Sequence, residues 1–445
     1  MRLRRQHLYL GIPFVALAWI VTLPFADNAV LWHIRAGELQ ASTGGVLRVD
    51  PFSVSHGGLP WRTQSWLADL GYAWLERMVP VLVWAPFVMF AVAGVALASI
   101  GLGSWSVNRS VNTAALTMLV GFATLAPFIG ARPTLFSYAL LGVLVVIVRV
   151  ERLWWVAIPL IWIWGSVHGS FPVGIGFLVL VAVVIRSRKL FAIATLSALT
   201  VMLGAHGVAV VDILRAFLEN REALSVISEW QRPDFGNPFL LPILAIGLGV
   251  FLAYVRGRLV SRDLIVIAPF VVYALVAERN IPHSAIVLLA AYSGGWAVRT
   301  AAPVPESPIA ARGWERRLVA VGLVGMVLVG ALGISRGVGW SATRFPPPVL
   351  TDALLEREVL TNPAVGGYLI YKAWPQQPIF IDDRAELFGS KIVDVAQAIA
   401  GDSSVLATYG IEQVLVRRDV PLAGRLRDAG WVTRAEDESW VLFSR

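Results

Sequence analysis

The chain has 445 residues, 57% of them hydrophobic and only 15% charged, which is far more apolar than a soluble domain. Its net charge of +8 comes from short basic clusters between long apolar runs, such as Arg186-Ser187-Arg188-Lys189 and Arg256-Gly257-Arg258. That is the pattern of cytoplasmic loops, not of a surface for nucleic acid. The chain has no cysteine, which excludes a disulfide framework, a thiolate metal site and a cysteine nucleophile.

The repeated apolar runs approach bilayer thickness and read as an α-helical polytopic membrane protein. Arg2, Arg4 and Arg5 precede an apolar stretch over about 8–25, and no small-x-small cleavage site precedes Asp27. The stretch is therefore expected to be an uncleaved first helix with a cytoplasmic N-terminus. A long first outer loop over 27–79 follows, then helices over about 80–103, 114–130 and 134–148, the last ending at Arg149-Val150-Glu151-Arg152. Further helices are expected over about 153–167, 170–185 and 190–205, with exits at His168 and His206.

A second outer loop over 206–237 carries Asp212, Glu229, Arg232 and Asp234. Helices over about 238–255, 264–277 and 281–298 follow. After a loop with Arg312, Arg316 and Arg317, an eleventh over about 318–335 leaves everything beyond Arg336 outside. Each of these crossings obeys the positive-inside rule in the cytoplasmic membrane. The expected transmembrane domain spans 1–336, with about 11 spans.

Polarity is not evenly shared between the two faces. Of the six histidines, five (His33, His56, His168, His206 and His283) fall at the outer ends of apolar spans. Some outgoing helices are short, about 14 or 15 residues against the roughly 20 that hydrocarbon needs. Their polar ends, His168 and Glu278-Arg279, are then expected in a recessed chamber open to the outside. Local thinning or snorkelling is the competing explanation.

Past Phe345-Pro346-Pro347-Pro348 the composition changes, and residues 345–445 carry 10 basic and 14 acidic side chains, a net of −4. Strands are expected at 378–381, 413–416 and 440–443, with helices over 350–357, 366–373, 390–409 and 421–429. These make a small soluble α/β extracytoplasmic domain.

In the first loop, Leu31, Ile34 and Leu39, and again Trp66, Leu70 and Trp74, recur at helical spacing and predict amphipathic helices on the membrane interface. Asp27 and Asp50 are candidate catalytic acids there; equally, Asp27 can cap the helix starting near Ala29 and Asp50-Pro51 can start a turn. Asp382-Asp383-Arg384-Ala385-Glu386 reads as a turn held by an Asp–Arg pair. No His-x-x-x-His or Glu-x-x-His pair is present, so no metal site is expected.

Several motifs together resemble a group of bacterial membrane proteins similar to the GT-C glycosyltransferase superfamily, which includes the protein O-mannosyltransferases and the lipid A aminoarabinose transferases. They are the first loop itself, Arg132-Pro133-Thr134-Leu135-Phe136-Ser137-Tyr138, Trp164-Gly165-Ser166-Val167-His168-Gly169, Glu229-Trp230-Gln231-Arg232-Pro233-Asp234-Phe235 and Arg279-Asn280-Ile281-Pro282-His283. Gly366-Gly367-Tyr368-Leu369-Ile370 and 380–389 are similar to that group's C-terminal domain. The chain departs from the group at Gln64-Ser65-Trp66, where an acidic residue is usual, at Asp383, where glycine is usual, and at Gly204-Ala205-His206-Gly207, where an Asn-Pro-Tyr-Gly turn is usual.

The resemblance implies an inverting glycosyltransferase that draws on a polyprenyl-phosphate-linked sugar donor, within membrane lipid, for an acceptor at the extracytoplasmic face. Asp27 is then the expected base, with Asp50 second. His33, Arg132, His168, Glu229, Arg232, Arg279 and His283 are the expected substrate-binding residues, since phosphate as a leaving group needs cationic donors. No cofactor is implied, and a divalent cation stays open. A transporter or flippase of lipid-linked saccharide and an enzyme like an O-antigen ligase or polymerase are the alternatives. The first would be marked by repeats and midplane charge, and the second shares the outer-face Arg and His.

Overall fold

The computed structural model describes residues 9–54, 57–219, 221–297, 313–315, 317, 320–322, 324–325, 328 and 338–445. The expected eleventh helix for the most part, together with Arg312, Arg316, Arg336 and His56, lies outside the described residues. The protein is mostly helical with a small C-terminal sheet, and it divides into two compact units. The first comprises Met1–Leu23, Val83–Gly207 and Glu229–Val338; the second comprises Pro24–Leu82, Val208–Ser228 and Gly339–Arg445. The second unit resumes at Gly339, within the expected joint at 336–345, and differs from the expected domain in also taking in 24–82 and 208–228. The first loop belongs with the C-terminal segment through polar partners such as Asn28, Trp32 and Asp50, and the second loop through Ala223, Leu224 and Ile227, which pack into its apolar core.

In the first unit the expected helices form, at Ile12–Ile20, Val81–Asn108, Val111–Leu125, Thr134–Arg149, Ala157–Val167, Phe171–Ile185, Arg188–Val201, Leu241–Val255, Leu264–Val276 and Ile281–Ser293. Their lengths do not support eleven spans. Among the described residues, three helices are long and apolar enough to cross a membrane: Val81–Asn108, Val111–Phe128 and Pro238–Val255. Side-chain oxygens end the polar connections in an orderly way. Ser110 accepts from the Thr113 N–H and Ser187 from the Leu190 N–H, each satisfying a first-turn donor.

Ile281–Ser293 is the centre of this unit. Every residue from Ile281 to Ala291 is buried, against Leu264–Val276, Leu241–Val255, Val111–Leu125 and Thr134–Arg149, as a helix apolar all round requires. The outer helices are apolar on their exposed sides too, with Phe251 59% and Val272 58% exposed. Contiguous apolar surface of this kind is stable in contact with lipid and not with water.

In the second unit the first loop forms two helices, Ala29–Thr43 and Trp66–Met78. They pack so closely that a Cβ on Gly37 would lie 1.9 Å from the Asp69 carbonyl oxygen. Trp74, expected on a helix lying at the membrane interface, is 59% exposed. Ala29–Thr43 also packs on Pro363–Ala373, where Gly367 gives the room: a Cβ there would stand 2.6 Å from Asn28 O. The sheet has the order β1 (Leu360–Thr361), β2 (Gln413–Arg417), β4 (Trp440–Ser444), β3 (Val432–Glu436), parallel only between β1 and β2. The expected strand at 378–381 is absent; Ile379 makes only single bridges, to Val359 and Ser53. The expected helix over 390–409 is two, Lys391–Ile399 and Ser404–Thr408, broken at Gly401 with φ 114°.

A buried ion triad ties the first loop to the C-terminal segment. Arg384, 1% exposed, donates from Nη1 to Asp50 Oδ1 at 2.7 Å and from Nε to Asp382 Oδ1 at 2.8 Å. Asp383 accepts from Asn28 Nδ2 at 2.7 Å and Trp32 Nε1 at 2.8 Å. The expected Asp382–Arg384 pair is therefore present, and it has Asp50 as a third member. Burial pushes the Asp50 carboxyl up, but the Arg384 charge and the Ser53, Arg384 and Phe52 hydrogen bonds outweigh it and hold it below its ordinary 3.8. Its stabilisation is complete above that pH and is lost as pH falls through the depressed value. Arg384→Met strands two buried carboxylates and should cost about 3–5 kcal/mol, read as a lowered unfolding midpoint in detergent; Arg384→Lys should fall between. An unchanged midpoint for Arg384→Met would remove the triad from the second unit's foundations.

Candidate functional site

Three irregular segments of the first unit meet at one end of its helices. Arg132 stands just before Thr134–Arg149, Glu229 lies in the Ser228–Trp230 turn, and Arg279 lies in the Glu278–Asn280 turn before Ile281–Ser293. Pro282, with its φ already helical, starts that last helix. Glu229 bridges the two arginines, Oε2 to Arg132 Nη1 at 3.0 Å and Oε1 to Arg279 Nη1 at 3.3 Å. The Arg279 guanidinium also lies over the Trp230 ring, 4.0 Å from its centroid, and the Glu278 N–H donates to Gln231 O at 2.9 Å.

Burial would raise the Glu229 carboxyl, but Arg279 and then Arg132 hold it below its ordinary 4.5. Glu278 is shifted the other way, raised by burial and by the charges of Glu229 and Asp234. Both Glu229 and Arg132 keep 37% of their side-chain surface exposed, and an ion pair of that exposure is worth about 0–1 kcal/mol to folding. Stability therefore does not explain the cluster. Two partly exposed guanidiniums, Arg132 at 37% and Arg279 at 21%, fixed around one carboxylate position could hold an anion.

Behind it lie two buried histidines. His168 follows Ala157–Val167 in extended backbone; the Ser170 N–H donates to its Nδ1 at 3.2 Å, so that nitrogen is an acceptor. The proton then sits on Nε2, 3.0 Å from Thr134 Oγ1. His283, 3% exposed, has Nε2 at 3.0 Å from Ser137 Oγ. Ser137 already donates to Thr134 O at 2.5 Å, so here too Nε2 carries the proton. Both rings converge on the first turn of Thr134–Arg149. The His283 ring is packed against Tyr138 at 4.9 Å and lies parallel to Trp164 at 6.4 Å.

The structure thus brings together Arg132, Glu229 and Arg279, and brings His168 and His283 onto one helix turn. Arg232 is exposed and makes no ion pair or hydrogen bond with another described residue. The other three expected site residues are in the second unit. Asp27 is 7% exposed, and its charge, after burial, helps raise the Tyr72 phenol. Asn28, not Asp27, is the residue preceding the Ala29–Thr43 helix, and its side chain makes no cap.

Asp50 must be corrected as a candidate base. It is 1% exposed, and its oxygens already accept from Arg384, the Phe52 and Ser53 N–H groups and the Ser53 hydroxyl. His33 is likewise removed from any open surface: it is 4% exposed, stacks on Trp32 at 3.6 Å and meets Asp69 Oδ1 at 2.5 Å. Asp69, which also accepts from Gln40 and Thr63, was not singled out from sequence. It is fully buried on Trp66–Met78, and only its i+3 distance from Trp66 on the inner helix face could have pointed to it. Among the described residues, no group of three or more His, Asp and Glu side chains is placed to hold a metal ion. No protein-family model and no curated protein matches this chain.

If Glu229 occupies the position of an anionic ligand, Glu229→Gln should raise the affinity for inorganic pyrophosphate at pH 7 while moving the unfolding midpoint little. Since the Glu229 carboxyl is depressed below 4.5, wild-type pairing persists through neutral pH and opens only in acid. Titration calorimetry in detergent measures this, and equal or weaker binding by the variant would count against an anion site there.

Proposed function

We propose that the protein is an integral-membrane glycosyltransferase of GT-C type, passing a sugar with inversion from a polyprenyl-phosphate donor to an acceptor at the extracytoplasmic face. The observation that carries this reading is the Arg132–Glu229–Arg279 cluster, set at one end of apolar helices. As the bond from the anomeric carbon to the phosphate oxygen breaks, negative charge gathers on the leaving phosphate. Planar guanidiniums held in advance stabilise that charge without having to reorganise. His168 and His283, with protons on Nε2, supply neutral donors to the hydroxyls of Thr134 and Ser137 and hold the Arg132 end of that helix in register.

Proton acceptance falls to Asp27, a buried carboxylate just past the first apolar helix, which takes the acceptor hydroxyl proton as the oxygen attacks the anomeric carbon. Glu229 is ill suited to that task, because two guanidiniums lower its basicity. The arginine pair would equally suit an enzyme like an O-antigen ligase, and the Asp27 role is what separates the two readings.

Asp27→Asn should leave binding of undecaprenyl phosphate unchanged and cut transfer on the order of 100- to 10,000-fold, assayed with undecaprenyl-phosphate-linked mannose, glucose and aminoarabinose. Arg279→Lys should weaken the binding itself, because a point charge loses the planar fork. Asp212→Asn, on an exposed helix, is the control. Transfer at the wild-type rate by Asp27→Asn would favour the ligase-like reading.

The reading also requires the N-terminus in the cytoplasm and the C-terminal domain outside it. Alkaline phosphatase fused after Arg445 should be active and green fluorescent protein dark; the reverse pattern would put the cluster on the wrong side for a translocated lipid donor.

A further inference from the structure

At the other end of the first unit's central helix, a second arrangement of donors stands apart from the Arg132–Glu229–Arg279 cluster. The last carbonyls of Ile281–Ser293 and its exit are closed by a side chain from another helix. Arg149 Nη2 donates to Ala290 O at 3.1 Å and Gly294 O at 2.8 Å, and Nη1 to Gly295 O at 2.7 Å. The nearby Asp263 carboxylate is taken up by backbone, accepting from the N–H groups of Val260, Trp296 and Ala297 at 3.1, 2.8 and 2.9 Å.

Two donors are left over. Arg149 Nε and Trp296 Nε1 are buried and meet no acceptor, although Trp296 is only 3% exposed and its ring lies 4.8 Å from the guanidinium. Arg149 and Trp296 both line one cavity of about 60 Å³, whose other walls include Ser106, Val107, Val181 and Gly295. Buried donors of this kind are rare unless something accepts from them.

Size and charge narrow the occupant. The volume has room for roughly four waters, far below the roughly 300 Å³ at which sites for drug-sized ligands begin, and is suited to a single tetrahedral oxyanion. Arg152, Arg186, Arg188 and Arg262 are exposed on the same helix ends, which are drawn together by Arg262 Nη1 to Val184 O at 3.5 Å and Lys189 to Glu151 at 3.5 Å. Basic pockets between membrane helices take anionic headgroups.

We infer that this cavity is a phosphate-binding site, in which one oxygen of a lipid headgroup phosphate or of a soluble phosphate accepts from Arg149 Nε and Trp296 Nε1.

The test uses the full chain, delipidated in detergent, with unfolding midpoint and native mass spectrometry as readouts. The probes are phosphatidylglycerol, phosphatidylcholine and inorganic phosphate. Phosphatidylglycerol should raise the midpoint and remain bound where phosphatidylcholine does not; a rise with inorganic phosphate alone would make the occupant soluble and still support the site. Trp296→Phe keeps the ring and loses the N–H, so it should weaken the effective probe about tenfold without lowering the midpoint measured in the probe's absence. Arg149→Lys should weaken it as well, with some loss of the helix closure. A response to neither phosphate probe, or a phosphatidylglycerol response identical in wild type and Trp296→Phe, would overturn the proposal.

Discussion

A helix enclosed on every side cannot leave its terminal N–H and C=O groups to water, and Ile281–Ser293 is enclosed along nearly its whole length. The first unit is organised around that constraint. At the C-terminal end the remedy is Arg149, which spans from a neighbouring helix and answers three carbonyls at once. At the N-terminal end it is a proline start, which has no N–H to satisfy, and the polar turn that carries Arg279. The charged groups of the unit are therefore drawn to the two ends, and the middle is left to Leu, Ile, Ala and Val.

The second unit meets a similar demand by different means. Beside an apolar core that includes Leu360, Phe380, Val395 and Phe443, three segments distant in sequence are fastened by buried polar groups. Arg384 answers Asp50 and Asp382, Asp69 collects His33, Gln40 and Thr63, and Asp383 takes two donors from the start of Ala29–Thr43. Each group is costly to bury alone and acceptable only with its partners. Such a core is specific, since few other arrangements satisfy every member.

This contrast also explains what could be read from sequence. Apolar runs mark the first unit's helices because burial there follows hydrophobicity, and helices such as Thr134–Arg149 and Phe171–Ile185 lie within a residue or so of their expected bounds. The number of spans could not be read in the same way, because helices such as Thr134–Arg149 and Phe171–Ile185 are 16 and 15 residues long, short of the roughly 20 that hydrocarbon needs. In the second unit, partner choice is tertiary. Asp50 and His33 look like exposed loop residues until Arg384 and Asp69 are placed beside them, and no local pattern records those pairings. Likewise the 378–381 segment has a strand's composition, yet it is buried as a single bridging residue without a ladder. Of the arginine cluster, Arg132 and Arg279 are legible as polar residues at helix ends and Glu229 as one in the second loop, and the convergence of both arginines on Glu229 is not.

The Arg384–Asp50 bond joins residues 334 apart in the chain. At a synthesis rate of about 5–20 residues per second, the Asp50 carboxylate emerges roughly 15–70 s before its counterion exists. During that interval Ala29–Thr43 and Trp66–Met78 can pair with each other, while the surface meant for the C-terminal segment stays open and wet. A late segment is thus the one that closes the first loop, and a chain stopped short of Arg384 would carry an unneutralised acid where the finished protein has a buried ion triad.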